Sequence, residues 1–403
     1  MSKQLKQHAK RPTARRGWIS RVFGSILFVG LLYPIFIALI ASPSVQKHAT
    51  FKHMWKFPYF VQYDAPEKYG LAPGKTLNIN ITTPDNCTLG AWFVLADPFY
   101  QTLRSTSPAQ LSPLTEPTVL AAITAHPTIL FLHGAGGTRA ASFRVADYRA
   151  YASRLHTNVL ALEYRGFGES TGAPSQAGLV RDAYTAWAWL LARGARAEDV
   201  VLVGESLGTG VTAQLARRLA SEGVRPRGVA LLAPFASVAR LVEAYRLFRL
   251  PLLRPLQSFP WGIKLLKRMV HTEFDTLAAI QEFNAPTLVA HAQNDREIPH
   301  AHSQTLIDAL VEPLLPALEP GMTLTTEEAL ALQKQQEARS AKRGEIVKTT
   351  HVPKFGMVEE FKGLRASFVY VETFWGEHRD VGNQEGVVDE MAKLFRLGVY
   401  RSD

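Results

Sequence analysis

The stretch Asp199-Val200-Val201-Leu202-Val203-Gly204-Glu205-Ser206-Leu207-Gly208 decides how this chain reads. Its first half is a short, β-branched apolar run, the pattern of a buried strand. Its second half fits G-x-S-x-G, and the residues that follow, Thr209 to Arg218, are rich in Ala, Leu, Gln and Arg, which favour helix. Strand, tight turn and helix predict a serine held in a strained turn, its hydroxyl presented near a helix N-terminus. Glycines two positions either side let strand and helix approach closely. The competing reading is a structural Gly-rich turn; the flanks favour a nucleophile.

Outward from this turn the chain alternates. Thr128–Leu132, Val159–Leu162, Val200–Val203, Gly228–Leu232, Thr287–His291 and Ser367–Val371 read as strands. Arg139–Leu155, Gln176–Ala192, Val211–Ala220, Ser303–Leu310 and Glu385–Leu397 read as helices. This is an α/β pattern, a mostly parallel sheet with helices on both faces. Residues 76–96 suggest early antiparallel strands, and 97–127, with several Pro, Ser and Thr, read as a loop. Two insertions interrupt the alternation. Residues 234–285 are greasy and basic, readable either as a lid that meets lipid or as ordinary cap helices. Residues 312–362 are charged and low in aromatics, expected as a solvated helix plus flexible loop.

A serine hydroxyl needs a base in hydrogen-bond reach and an acid to orient that base. One known order along the chain is Ser, acid, His, with acid and base after later strands. Asp295 follows the strand 287–291, and His378 follows the strand 367–371. Ser206, Asp295 and His378 are therefore the expected triad. His351 and Glu297 are weaker candidates, Asp275 precedes its strand, and His291 is expected to pack within one. The amide of Leu207 and that of Ala135, in the turn His133-Gly134-Ala135-Gly136-Gly137, are the expected oxyanion donors. His133 itself reads as a structural hydrogen-bonding residue. No metal-ligand spacing, phosphate loop or dinucleotide fingerprint is seen, so no cofactor or metal is expected.

The charge is unevenly placed. Residues 1–63 hold ten Lys and Arg and no acid, which accounts for the whole net charge of +10; the other 340 residues carry 35 basic and 35 acidic side chains. A nucleic-acid partner would need a basic patch on the folded domain, and the count gives none. Val22 to Ile40 is 19 residues without a charge, about 28 Å as a helix, and reads as a transmembrane anchor rather than a cleaved leader. Seven Lys or Arg precede it and three follow, which predicts a cytosolic N-terminus and a lumenal domain. Asn80-Ile81-Thr82 and Asn86-Cys87-Thr88 are candidate glycosylation sequons on the lumenal side. The modest length of the apolar run leans toward the endoplasmic reticulum. The division expected is a basic tail 1–21, a transmembrane helix 22–40, a juxtamembrane segment 41–75 and a domain 76–403. The single cysteine excludes an intrachain disulfide.

The motifs Leu132-His133-Gly134, Tyr164-Arg165-Gly166-Phe167-Gly168-Glu169-Ser170, Gly204 to Gly210, Ala233-Pro234-Phe235 and His291-Ala292-Gln293-Asn294-Asp295 resemble the α/β-hydrolase superfamily. More narrowly the chain looks like the membrane-anchored members of that superfamily that act on monoacylglycerols and lysophosphatidylserine. The similarity covers about 75–311 and resumes at 366–397. It implies an α/β-hydrolase fold with a small cap, the triad Ser206, Asp295 and His378, and a single-chain lipid ester as substrate. Glu205, where many relatives carry His, and the 312–362 insertion depart from the pattern. Rival readings are a peptidase or protein deacylase (thioesterase) on the same fold, or a non-catalytic membrane scaffold.

Overall fold

Strands β3 (Thr128–Leu132), β4 (Asn158–Leu162), β5 (Val200–Glu205), β6 (Gly228–Leu232) and β7 (Thr287–Ala292) are buried along their whole length. With β10 (Ser367–Thr373) they pair in parallel in the order β4-β3-β5-β6-β7-β10. Both faces are apolar because both are covered. The computed structural model describes Gly24, Gly30 and residues 32–106, 114–244, 260–318 and 326–400.

Side-chain alternation sorts the core into two layers. Leu130, Leu132, Leu202 and Val289 face α5 (Gln176–Leu191), α6 (Leu207–Ser221) and α10 (Ala301–Val311). Phe131, Val201, Val203 and Ala290 face α4 (Ser142–Arg154) and α12 (Glu385–Phe395), where Tyr148 and Phe395 pack. Truncating a Leu in either layer to Ala costs about 2–5 kcal/mol. Antiparallel strands extend both edges: β1 (Thr76–Thr82) and β2 (Thr88–Val94) beside β4, and β9 (Gly356–Lys362) and β8 (Lys348–Val352) beside β10.

Three expectations need correction. Residues 97–127 are not simply loop: α2 (Asp97–Thr106) and α3 (Glu116–Ala125) form there, and Val119 and Ile123 enter the core. The 312–362 insertion is not a helix plus flexible loop. After the exposed helix α11 (Thr326–Ile346) it supplies β8 and β9, whose Phe361 stacks on Phe368 of β10. The third correction concerns 41–75. The chain divides into Met1–Gln46 and Lys47–Asp403, so most of that segment belongs to the larger unit. Phe51, at the end of α1 (Pro43–Phe51), and Leu71 are buried in its two core layers. Aromatic residues beside a basic run read as juxtamembrane, yet Trp92 Nε1 bonds the Tyr63 carbonyl at 2.9 Å and ties the segment to β2.

In the smaller unit residues 32–41 are helical. The rest of the apolar run 22–40, apart from Gly24 and Gly30, lies outside the described residues, as does the tail 1–21. Among the described residues no helix is long and apolar enough to cross a membrane. Of the 234–285 insertion the structure describes α7 (Val238–Ala244), α8 (Pro260–Arg268) and α9 (Thr276–Ile280); 245–259 lie outside the described residues.

Candidate active site

Parallel strands end at one edge of the sheet, and side chains on the loops beyond those ends can converge. Register decides which loops meet. Leu132 lies opposite Gly204, so the turn after β3 abuts the turn after β5. Thr373 lies opposite Ala292, so the loops after β7 and β10 abut each other.

Ser206 has φ 51° and ψ −117°, a strained conformation for a residue with a side chain, costing about 1–3 kcal/mol. Its N–H donates to the Leu232 carbonyl at 2.9 Å, which helps hold the turn. Gly208 is required for contact: a Cβ there would collide with the Leu132 carbonyl.

The serine meets its partners at hydrogen-bond distance. Ser206 Oγ is 2.8 Å from His378 Nε2, and His378 Nδ1 is 2.7 Å from Asp295 Oδ2. A carboxylate only accepts, so Nδ1 carries the proton and Nε2 is free to accept from the hydroxyl. Asp295 is buried, which pushes its carboxyl up; hydrogen bonds from His291 and His378 outweigh this and hold it well below the usual carboxylate range. Burial pulls the His378 imidazole down, but the Asp295 hydrogen bond and the charges of Asp295, Glu297 and Glu205 raise it overall. The N–H groups of Glu297 and Ile298 donate to Asp295 Oδ1 at 2.8 and 2.9 Å. Asn294 Oδ1 accepts from the Glu377 N–H at 2.9 Å and ties the two loops together.

His291 does more than pack within its strand. Its Nε2 lies 3.0 Å from both Asp295 Oδ2 and the Ile298 carbonyl, and its Nδ1 lies 2.7 Å from Ser303 Oγ. Two acceptors on Nε2 make it the donor, so Nδ1 accepts from Ser303. Asp295 Oδ2 thus accepts from two histidines. His351 lies on the exposed strand β8, and Asp275 caps α9 through the Ala278 N–H. His133 is fully buried between Tyr164 and Phe167, its Nδ1 2.7 Å from the Gly134 carbonyl; burial keeps it neutral.

The turn after β3 packs directly on the serine; a Cβ on Gly134 would lie 3.1 Å from Ser206 Cβ. Its amides are distributed among different acceptors. The Gly134 N–H donates to Glu205 Oε2 at 3.2 Å. Those of Gly136, Gly137 and Thr138 donate to the carbonyls of Phe51, Trp55 and Phe57. Among the described residues the Ala135 and Leu207 amides have no hydrogen-bond partner. These are the two amides expected from the sequence as donors to a developing oxyanion.

Glu205 now has a structural explanation. It is buried, and its Oε2 accepts from Arg144 Nε at 3.1 Å as well as from Gly134. The same guanidinium donates to the carbonyls of Thr138 and Gly134, at 3.1 Å each, and of Gly136 at 2.9 Å. One buried ion pair therefore ties the residue beside Ser206 to the whole turn. Arg144 gives no motif in the sequence, because its role depends on a helix that returns to the turn only in the fold.

A cavity of about 290 Å³ opens onto Ser206 and His378. Ala135, Gly136, Glu205 and Arg144 form part of its wall, and Trp55, Phe57, Tyr59 and Phe143 make much of the rest apolar. Sequence reading missed the contribution of residues 52–59. Their aromatic content was visible, but the hydrogen bonds to the turn after β3 were not.

Residues 129–359 match the alpha/beta hydrolase family. The chain belongs to that family. It is similar to the lysophosphatidylserine lipase ABHD12 of Xenopus tropicalis, at 28% identity over 291 residues, 72% of each chain. It is also similar to protein ABHD12B of Homo sapiens, at 31% identity over 186 residues, 45% of this chain and 49% of the other. Among solved structures, an alpha-beta hydrolase from Vibrio vulnificus superposes with a TM-score of 0.53 at 15% identity. It covers 87% of this chain and 94% of its own, and it shows the shared fold.

Proposed function

We propose that this hydrolase cleaves the carboxylic ester of a single-chain lipid, a monoacylglycerol or a lysophospholipid, with Ser206 as nucleophile. The observation that carries the proposal is the continuous relay from Ser206 Oγ through His378 to Asp295 at the wall of an apolar cavity. The lysophosphatidylserine lipase relatives support a lipid ester as the substrate class.

In this mechanism His378 Nε2 takes the Ser206 proton as Oγ attacks the acyl carbon. Asp295 holds the Nδ1–H tautomer and stabilises the imidazolium that forms. The amides of Ala135 and Leu207 receive the developing oxyanion, and such a donor contributes about 10²–10³ in rate. Collapse of the tetrahedral intermediate expels the glycerol or glycerophospho alkoxide, which takes the proton from His378. His378 then deprotonates water, which attacks the acyl-enzyme and releases the fatty acid. Each step uses protein side chains and water only.

Residues 1–21 form a cytosolic tail, 22–40 a single membrane span, and the hydrolase domain is lumenal, with the endoplasmic reticulum as its compartment. The charge asymmetry around the apolar run supports this orientation. Asn80 and Asn86 are both exposed, as glycosylation acceptors must be. The full chain, assayed in detergent with long-chain monoacylglycerol and with lysophospholipids, should release fatty acid, and the Ser206→Ala variant should not. Equal release by both proteins would remove the proposal.

A further inference from the structure

We infer that the strap from Lys52 to Phe60 is a membrane-docking surface that seats the mouth of the cavity on a phospholipid bilayer. The inference rests on the lipid-ester reading of the cavity. The strap carries five large apolar side chains in the open: Met54, Trp55, Phe57, Tyr59 and Phe60 are 65, 70, 52, 68 and 99% exposed. Contiguous exposed apolar surface of this kind marks an interaction site in a soluble domain.

The strap backbone is held down. The amides of Gly137 and Thr138 donate to the carbonyls of Trp55 and Phe57 at 2.6 and 2.8 Å, and Lys56 Nζ donates to the Gly168 carbonyl at 2.7 Å. With the polar groups engaged on the body, the rings project from it. Trp55, Phe57 and Tyr59 also line the cavity, so the exposed patch runs without a break into the site. An acyl chain could pass along that path without entering water, which would cost about 0.8 kcal/mol per methylene.

The chemistry of the patch selects a bilayer over another apolar partner. Trp and Tyr beside Lys is the side-chain mixture of a lipid–water interface. No carboxylate occurs in residues 1–63, so the strap itself does not repel anionic headgroups, and Lys47, Lys52 and Lys56 attract them. In the chain the strap begins about a dozen residues after the apolar run 22–40. An anchor there would hold the strap within roughly 40 Å of the bilayer.

Two measurements on the full chain in vesicles of phosphatidylcholine with about one fifth phosphatidylserine test this. The first places a spin label at Phe60→Cys in a Cys87→Ser background, with Glu198→Cys as the exposed reference. The Phe60 label should collide with oxygen several times more often than with a water-soluble nickel chelate, and the Glu198 label should show the reverse. A Phe60 label as open to nickel as the reference, or shielded from both reagents, overturns the inference. The second compares the parent with a Met54→Ser/Phe60→Asn variant, neither position lining the cavity. Hydrolysis of vesicle-borne monoacylglycerol should fall at least about tenfold, while that of a short-chain soluble ester stays within about twofold. An equal fall on both substrates, or on neither, overturns it. If the parent hydrolyses no lipid ester, the lipase reading fails, and the label alone decides docking.

Discussion

Replacing Arg144 by Met keeps the apolar stem and removes the guanidinium. Four hydrogen bonds are lost, those to Glu205 and to the carbonyls of Gly134, Gly136 and Thr138. The larger effect is on Glu205, whose buried carboxylate keeps only the Gly134 amide. Stranding one charge of a buried pair costs about 3–5 kcal/mol. Against a typical domain stability of about 5–15 kcal/mol, most molecules stay folded. Thermal unfolding followed by tryptophan fluorescence should move down by several degrees, given about 2–4 °C per kcal/mol for a mid-sized domain and less for a larger one. The turn that presents the Ala135 amide is no longer clamped, so kcat on a short-chain soluble ester should fall about 10²–10³-fold. The double variant Arg144→Met/Glu205→Gln separates the two effects. It strands no charge, so it should regain most of the lost stability while kcat stays low, because the carbonyl clamp is still missing. A single variant that loses less than about 1 kcal/mol with kcat unchanged refutes this account of the turn. So does a double variant no more stable than the single one.

The remaining predictions concern the relay. His378 must be neutral to accept the serine proton, so kcat/KM should rise with pH through its pKa, with the midpoint above the ordinary histidine value because Asp295, Glu297 and Glu205 raise it. Glu205→Gln removes one of those charges and should move that limb to lower pH; a limb that stays put or moves up contradicts the assignment. Asp295→Asn should reduce kcat by about 10⁴ through the wrong imidazole tautomer, with the fold intact by circular dichroism. His291→Leu removes a donor to Asp295 worth about 1.5–3 kcal/mol and should lower kcat roughly tenfold or more with KM unchanged. His291→Gln, which keeps a donor, should recover part of the loss, whereas equal losses in the two variants would mean that His291 acts by packing alone.

Much of the central sheet could be read from sequence because its strands are buried on both faces. Such strands are uniform apolar runs, and Gly228–Leu232 is bounded in the structure as its sequence suggests. Ser206, Asp295 and His378 could be located because each follows a recognisable strand, and chain order then orders the roles. The edges were harder to read. β8 is exposed throughout, so Lys348–Val352 carries no apolar signal, and its pairing with β9 is a backbone matter. Residues 97–127 hide two helices because prolines at positions 98 and 117 fall in first turns, where they are tolerated. Glu205, Arg144 and the strap at 52–60 act through contacts between segments distant in sequence, and periodicity carries no trace of such contacts.

The central claim is that Ser206 is an activated nucleophile. The most direct measurement treats the full chain with a fluorophosphonate probe and locates the adduct by peptide mass spectrometry. The account predicts one equivalent of label on Ser206, with labelling strongly reduced in His378→Ala and absent in Ser206→Ala. A folded protein that stays unlabelled, or one labelled equally well without Ser206, would contradict it.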